Sequence, residues 1–227
     1  IDIGGPCLIR ASAKNYKDIT ILTDPTDYNS FIENSCDRRF LASKAWKHVA
    51  QYDIHIAEYF DKKTTYRVFR EEEKLKYGCN PQQGNAAIHS IGDKLFPFEI
   101  LNGTPGYINY LDALSAISLV NEIGKTLNTT AATSFKHTAP AGVGISTPFT
   151  DIQKNIYSRD IPENIDDVSI AFIKARNSDP LSSFGDFIAI NSCVSVTCAK
   201  LIKREVSDGI IAKDYTPEAL EILKSKK

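Results

Sequence analysis

From residue 107 to the end of the chain, segments with the spacing of an amphipathic helix alternate with short apolar segments. The first repeats apolar residues every three or four positions, which predicts a helix with one apolar face: Ile108, Leu111, Leu114, Ile117, Val120, Ile123 and Leu127. The later segments predict strands at about 131–136, 187–190 and 209–212, and helices near 165–176, 195–205 and 217–224. Such alternation implies a layered α/β architecture.

The first hundred residues carry a less regular pattern. Helical spacing predicts a long amphipathic helix from Asp37 to Phe60, and short apolar runs predict strands at 19–23 and 97–101. The stretch 61–76 is charged and poor in aliphatic residues. A domain boundary is expected there, because boundaries fall in exposed polar segments.

Composition excludes several classes of protein. The 227 residues are 42% hydrophobic and 24% charged with a net charge of −1, which is typical of a globular domain and lacks the positive charge of a dedicated nucleic-acid binder. No apolar run reaches the roughly 20 residues of a membrane helix, and no secretory signal is visible. The chain has no Met and starts at Ile1, so we expect an internal piece of a longer protein. Five scattered cysteines favour reduced, cytosolic thiols: Cys7, Cys36, Cys79, Cys193 and Cys198.

Lys136 and His137 form the strongest local candidate for a chemical site. They follow a predicted strand and precede a predicted Pro/Gly loop at 138–142, and ligands of open α/β sheets gather outside the carboxyl ends of strands. Adjacent positive charges repel, which favours a neutral imidazole that can accept a proton near pH 7. A solvated surface pair is an equally good interpretation of these two residues alone.

Three further segments carry polar groups that can bind or react. The turn at 76–83 is rich in hydrogen-bonding groups, and small residues at 181–187 precede Asp208, whose carboxylate can hold an amine. Asp2 and Lys14 can serve as a base and an oxyanion partner. Simpler interpretations are a polar loop, a turn with a strand cap, and an unrelated pair of charges.

Several catalytic signatures are missing from the sequence. It contains no zinc-deaminase pattern, no Walker A loop, no Gly-x-Gly-x-x-Gly fingerprint and no Gly-x-Ser-x-Gly elbow. Cys193 and Cys198 lack the spacing and partners of a zinc site. A plain α/β nucleotide hydrolase is therefore disfavoured.

Taken together and in order, these segments resemble a known family. The motifs are Asp-Ile-Gly-Gly with Ala-Lys-Asn, then Lys-Tyr-Gly-Cys-Asn-Pro, Leu-Asn-Gly-Thr-Pro-Gly-Tyr-Ile-Asn, Phe-Lys-His, Ser-Ser-Phe-Gly-Asp-Phe and Arg-Glu-Val-Ser-Asp-Gly-Ile-Ile-Ala. The chain resembles, nearly end to end, the bifunctional purine-biosynthesis enzymes that join AICAR transformylase to IMP cyclohydrolase.

The resemblance implies two domains. Residues 1–66 would be the carboxyl-terminal part of a cyclohydrolase domain, similar to the methylglyoxal synthase fold. Residues 67–227 would be the amino-terminal part of a transformylase domain, similar to cytidine deaminases but without their zinc. The implied enzyme is a cytosolic homodimer with its transformylase site at the interface, and it requires no metal, nucleic acid or membrane.

The resemblance also implies roles for single residues. In formyl transfer from 10-formyltetrahydrofolate to AICAR, His137 would be the general base and Lys136 would orient it or stabilise charge. The residues implied to surround the nucleotide or the formyl group are Lys76, Tyr77, Asn109, Phe184, Gly185 and Asp208. In closure of the product FAICAR to IMP, Asp2 and Lys14 would act on the ring and Gly4 would offer a backbone contact.

Four positions depart from the family pattern. Lys76 replaces an Arg, which removes a bidentate phosphate contact, and Gln82 stands where a His is expected. Cys79 and Leu181 replace methionines, which changes packing more than chemistry. The alternative function is a truncated, non-catalytic nucleotide-binding or dimerisation segment of the same enzyme.

Overall fold

The chain divides into two compact units in the computed structural model, which describes residues 1–92 and 97–226. The first unit comprises Ile1–Arg70 and the short segment that starts at His89. The second unit comprises Glu71–Ile88 and the chain beyond residue 96. The assignment of 1–66 and 67–227 to two enzyme domains stays a prediction.

The first unit is built from helices. They are α1 (Gly4–Lys14), α2 (Tyr28–Ile32) and α3 (Arg38–Phe60). The long helix predicted from Asp37 to Phe60 is confirmed as α3, and the Asp37 carboxylate caps it by accepting the Arg39 N–H at 2.8 Å. Helix α1 packs on α3 through a small core whose buried members are Ala13, Ala42 and Ala45.

The strands predicted at 19–23 and 97–101 are wrong. Within the described residues, neither segment pairs with a strand of either sheet. Their apolar side chains are used in packing instead. Ile21 packs on the alanine core of the first unit, and Phe98 packs on the core of the second.

A two-stranded sheet lies where the two units divide the chain. It pairs β1 (Phe69–Lys74) with β2 (Ala87–Ile91), neither of which the sequence predicted. Strand β1 reads Phe-Arg-Glu-Glu-Glu-Lys. This charged segment lacks the alternation of apolar and polar residues that predicts a strand. The connection between β1 and β2 contains the predicted turn at 76–83, which is confirmed as irregular turn structure.

The second unit is built around a four-stranded mixed sheet with the order β4-β3-β5-β6. Strand β3 runs antiparallel to both β4 and β5, and β5 runs parallel to β6. The bounds are β3 (Ala131–Lys136), β4 (Ala139–Ile145), β5 (Asp186–Val194) and β6 (Ser207–Tyr215). The helices are α4 (Tyr107–Leu127), α5 (Asp151–Ile156), α6 (Asp167–Asn177), α7 (Val196–Arg204) and α8 (Pro217–Lys224). The mixed α/β architecture is confirmed.

Helices cover the sheet on both faces, and successive side chains of β5 point alternately to the two faces. Ile188 and Ile190 join the core formed by α6, α7 and α8, whereas Phe187 and Ala189 join the core beneath α4. All four are buried, so β5 reads as a continuous apolar run, as a strand covered on both faces should. No helix in the described ranges is long and apolar enough to cross a membrane.

The predicted Pro/Gly loop after His137 is wrong, because those residues form the edge strand β4. Pro140 is tolerated at the edge, where a missing N–H costs no ladder bond to a further strand. The orientation of the sheet also differs from the expectation. Lys136 lies at the carboxyl end of β3, but at the amino ends of the parallel pair β5 and β6.

Candidate functional site

His137 and Thr138 form the two-residue turn of the hairpin between β3 and β4. Lys136 pairs with Ala139 across this turn. Both central residues have positive φ, 53° for His137 and 64° for Thr138, as in a type I′ turn. The turn therefore places the exposed His137 at the tip of the hairpin, next to Lys136 in the chain.

Lys136 is brought together with two other predicted site positions. Its Nζ donates a hydrogen bond to the carbonyl oxygen of Phe184. An ideal Cβ placed on Gly185 would lie 3.5 Å from Lys136 Nζ and 3.8 Å from Asp208 Oδ1. Because the ammonium and the carboxylate flank the same glycine, a substrate placed against Gly185 can meet both charges.

The loop that carries Phe184 and Gly185 is anchored from below by Arg176. Its Nη1 donates to the carbonyl of Ser183 at 2.7 Å, and its Nε donates to Glu205 Oε2 at 2.9 Å. The Gly185 N–H donates to the Val206 carbonyl at 2.9 Å, which ties the loop to the start of β6. These contacts hold Gly185 and Asp208 in one arrangement.

Asp186 is fully buried beneath this region. Its Oδ2 accepts the Ser134 hydroxyl at 2.6 Å, and its Oδ1 lies 2.8 Å from Arg176 Nη1. Burial raises the pKa of Asp186, and the Ser134 hydrogen bond and the Arg176 charge oppose that rise. A fully buried carboxylate held by a cation and a hydroxyl is well suited to fixing a loop.

Helix α4 supplies two polar side chains near its first turn. Asn109 is half-buried, and its Oδ1 accepts the Gly106 N–H at 2.9 Å, which closes the start of the helix. The NH2 group of its side-chain amide is a donor that this bond does not use. Asp112, one turn further on, accepts the Thr138 N–H at 2.6 Å and so links α4 to the turn that carries His137.

Lys76 and Tyr77 lie in the connection between β1 and β2. Lys76 is exposed and Tyr77 is half-buried. The turn is closed by the Gly78 N–H to the Gln83 carbonyl at 2.8 Å, and by the Asn80 N–H to Gln83 Oε1 at 2.9 Å. In the described residues no hydrogen bond joins Lys76 or Tyr77 to Lys136 or His137.

Asp2, Gly4 and Lys14 lie in the first unit, along α1. Asp2 precedes the helix and its Oδ1 accepts the Gly5 N–H at 3.3 Å. Gly4 and Lys14 are the first and last residues of the helix, about 15 Å apart at 1.5 Å per residue. The structure therefore does not bring Asp2 and Lys14 together along the helix itself.

Sequence reasoning missed Asp112 and Arg176. Both are buried charged residues on helices, and Asp112 lies in line with the buried residues Ala116 and Val120. A charged residue on the buried face of a predicted helix is the signal that could have found them. Among residues 1–92 and 97–226, no group of three His, Cys, Asp or Glu side chains is placed to hold a metal ion.

The chain matches a protein family and several known relatives in sequence. The family described as AICARFT/IMPCHase bienzyme matches residues 12–227. The chain is 37% identical over 246 residues to the bifunctional purine biosynthesis protein PurH of Thermoanaerobacter sp., and 36% identical over 247 residues to that of Aquifex aeolicus. A third relative, from Brachyspira hyodysenteriae, is 31% identical over 248 residues. Each match covers all of this chain and 44% or 45% of the relative.

Proposed function

This chain belongs to the AICARFT/IMPCHase bienzyme family, and we propose that its second unit takes part in formyl transfer from 10-formyltetrahydrofolate to the 5-amine of AICAR. The relatives are named as bifunctional purine biosynthesis proteins. The observation that carries the proposal is the convergence of Lys136, Gly185 and Asp208 beside the His137 turn.

In the proposed reaction His137 accepts a proton from the amine of AICAR. That amine is conjugated with the imidazole ring and is a poor nucleophile, so it needs a base as it attacks the formyl carbon. A carbon–nitrogen bond forms to AICAR, and the bond from the formyl carbon to the folate nitrogen breaks. The proton held by His137 then passes to that leaving nitrogen, which balances the step.

Lys136 is proposed to stabilise the negative charge that develops on the formyl oxygen. An ammonium has three N–H donors, and the hydrogen bond to Phe184 occupies one of them. The other two are available for the oxygen of the formyl group. Asp208 is proposed to hold an amine of the substrate, with Phe184 and Gly185 forming the adjoining surface.

The finer parts of the proposal rest on the family match. Lys76, Tyr77 and Asn109 are proposed to contact the nucleotide, and residues 67–227 to form part of a cytidine deaminase-like transformylase domain. In residues 1–66, proposed as part of a methylglyoxal synthase-like domain, Asp2 and Lys14 would act in closure of FAICAR to IMP. We also propose a cytosolic homodimer with the transformylase site at its interface.

The test replaces His137 with Ala in the longest natural chain that contains this segment. Turnover of 10-formyltetrahydrofolate and AICAR should fall by about 100-fold or more, as on loss of a general base, while AICAR still binds. His55→Ala is the matched control, because His55 is exposed on α3 in the other unit. Equal rates for wild type and His137→Ala would refute the base. Binding of AICAR with no turnover in either would favour a non-catalytic segment.

A further inference from the structure

The turn that carries His137 is conformationally costly. His137 and Thr138 both have positive φ, a region that type I′ turns usually fill with Asn-Gly. Left-handed backbone is unfavourable for L-residues, and the β-branched Thr138 is an outlier there. Backbone of this kind persists only where the surrounding structure holds it.

Asp112 is placed to hold the His137–Thr138 turn in this conformation. Its Oδ1 accepts the Thr138 N–H at 2.6 Å, which is a short, charge-assisted hydrogen bond. The residue is 5% exposed and lies on the face of α4 that packs on the sheet. Burying a carboxylate costs free energy unless a hydrogen-bond partner compensates for the lost water, and the Thr138 N–H is such a partner.

The helix that carries Asp112 is itself fixed relative to the hairpin. Ala116 and Val120 of α4 join Ala131 and Phe135 of β3 in one buried cluster. The carboxylate therefore projects from a packed helix, and its bond to Thr138 transmits that rigidity to the two residues of the turn.

We propose that Asp112 is a positioning residue for His137: it locks the strained His137–Thr138 turn and so fixes the imidazole at the tip of the hairpin. The inference rests on the proposed function of His137 as the base. Asp112 acts through the backbone of Thr138 and is not assigned a contact with substrate. A displacement of about 1 Å at a reacting group can cost up to a hundredfold in rate, so a small slackening of the turn should be measurable.

The test uses variants of Asp112 in the same natural chain. Asp112→Ala should lower kcat for formyl transfer by about tenfold or more and leave the KM for AICAR within about threefold. Asp112→Asn keeps an acceptor oxygen and should retain most of the activity. Adding Thr138→Gly to Asp112→Ala should restore part of kcat, because Gly favours positive φ at the second turn position. Asp166→Ala is the control, since Asp166 caps α6 by accepting the Ser169 N–H at 2.8 Å; it should lower the melting temperature and leave kcat unchanged.

Hydrogen exchange at the Thr138 amide separates this inference from the proposed function. That amide should exchange faster in Asp112→Ala than in wild type, whether or not the chain turns over substrate. Equal exchange in the two proteins would overturn the inference. Wild-type kcat in Asp112→Ala would overturn it too, provided that His137→Ala is inactive. If His137→Ala stays active, the proposed base fails, and faster Thr138 exchange still supports the hold on the turn.

Discussion

The two units of this chain bury their apolar side chains to different extents. In the first unit the buried core between α1 and α3 consists of Ala13, Ala42 and Ala45, whereas Leu8, Phe40 and Phe60 are more than half exposed. In the second unit β5 is covered on both faces by large clusters. Since hydrophobic stabilisation grows with the apolar area removed from water, the second unit is expected to resist opening more strongly.

The ion pairs of the two units also differ in how far they are buried. Arg10 pairs with Asp53 in the first unit, and both side chains are more than a third exposed. Arg176 pairs with Asp186 and Glu205 in the second unit, and the Arg176 side chain is 8% exposed. The residues proposed for formyl transfer therefore lie beside a buried ion-pair network. Of the residues proposed for ring closure, Gly4 and Lys14 lie at the ends of α1 and Asp2 precedes it, and all three are exposed.

The largest expected effect comes from removing the buried cation. Arg176→Ala leaves Asp186 buried without its cation, and should cost about 3–5 kcal/mol in the opening free energy of β5. The measurement is hydrogen exchange of β5 amides. Arg10→Ala is the matched control in the first unit, where loss of an exposed pair should cost about 0–1 kcal/mol at the amides of α1. Equal losses in the two units would abolish the contrast between them.

The next effect concerns the apolar cores alone. Ile188 is fully buried at the centre of β5, and Ile188→Ala should cost about 3 kcal/mol through lost transfer energy and the cavity left behind. Leu8→Ala on α1 should change stability by less than about 0.5 kcal/mol, because that side chain is 71% exposed. Urea unfolding followed by circular dichroism measures both. A large loss in Leu8→Ala would mean that the first unit buries this side chain in solution.

The sequence predicted the parts of the fold that have regular apolar spacing. The helices α3, α4, α6, α7 and α8 and the strands β3, β5 and β6 are all confirmed near their predicted bounds. Helix α8 has clear start signals, since Thr216 caps it by accepting the Ala219 N–H at 3.3 Å and Pro217 stands at its first position.

Two of the missed elements, β4 and α1, contain Gly and Pro, which commonly interrupt strands and helices. Strand β4 reads Ala-Pro-Ala-Gly-Val-Gly-Ile, and its glycines are needed because the backbone of α6 lies against them. A Cβ on Gly142 would overlap the Ala175 carbonyl oxygen, and one on Gly144 would overlap that of Ala171. Helix α1 begins Gly-Gly-Pro, which hides its start, although Pro is tolerated in a first helical turn. For β4, the reason for the glycines is a tertiary contact that the local sequence does not show.

The candidate site was predictable where short segments of the sequence contain the polar or small residues that a site needs. Lys136, Gly185 and Asp208 were all named from sequence, and the structure brings them together. Asp112 was not, because its partner Thr138 is 26 residues away and bonds through its backbone N–H. A side chain that recognises a backbone group leaves no pattern at the partner position.

The smallest expected effect is the pH dependence of the partly exposed ion pairs that Lys44 forms in the first unit. Lys44 bridges Asp24 at 2.8 Å and Asp27 at 2.7 Å. The Lys44 hydrogen bond, with further hydrogen bonds from Thr26, holds the pKa of Asp24 well below its usual value of 3.8. The bonds to both carboxylates raise the pKa of Lys44 above 10.5.

The signs of these two shifts set the pH window. A depressed carboxyl pKa contributes stability that is present above pH 3.8 and is lost as pH falls through the folded value, and the raised Lys44 pKa contributes stability that is lost only above pH 10.5. The Thr26 amide, which donates to Asp24 Oδ1 at 2.9 Å, should therefore exchange faster as pH falls below 3.8, after correction for intrinsic rates. Asp24→Asn should remove this dependence, and 1 M salt should weaken it because the pair is partly exposed to solvent. Amides around the buried Arg176–Asp186 pair should respond less to salt, and an equal response in both units would remove the distinction between exposed and buried charge.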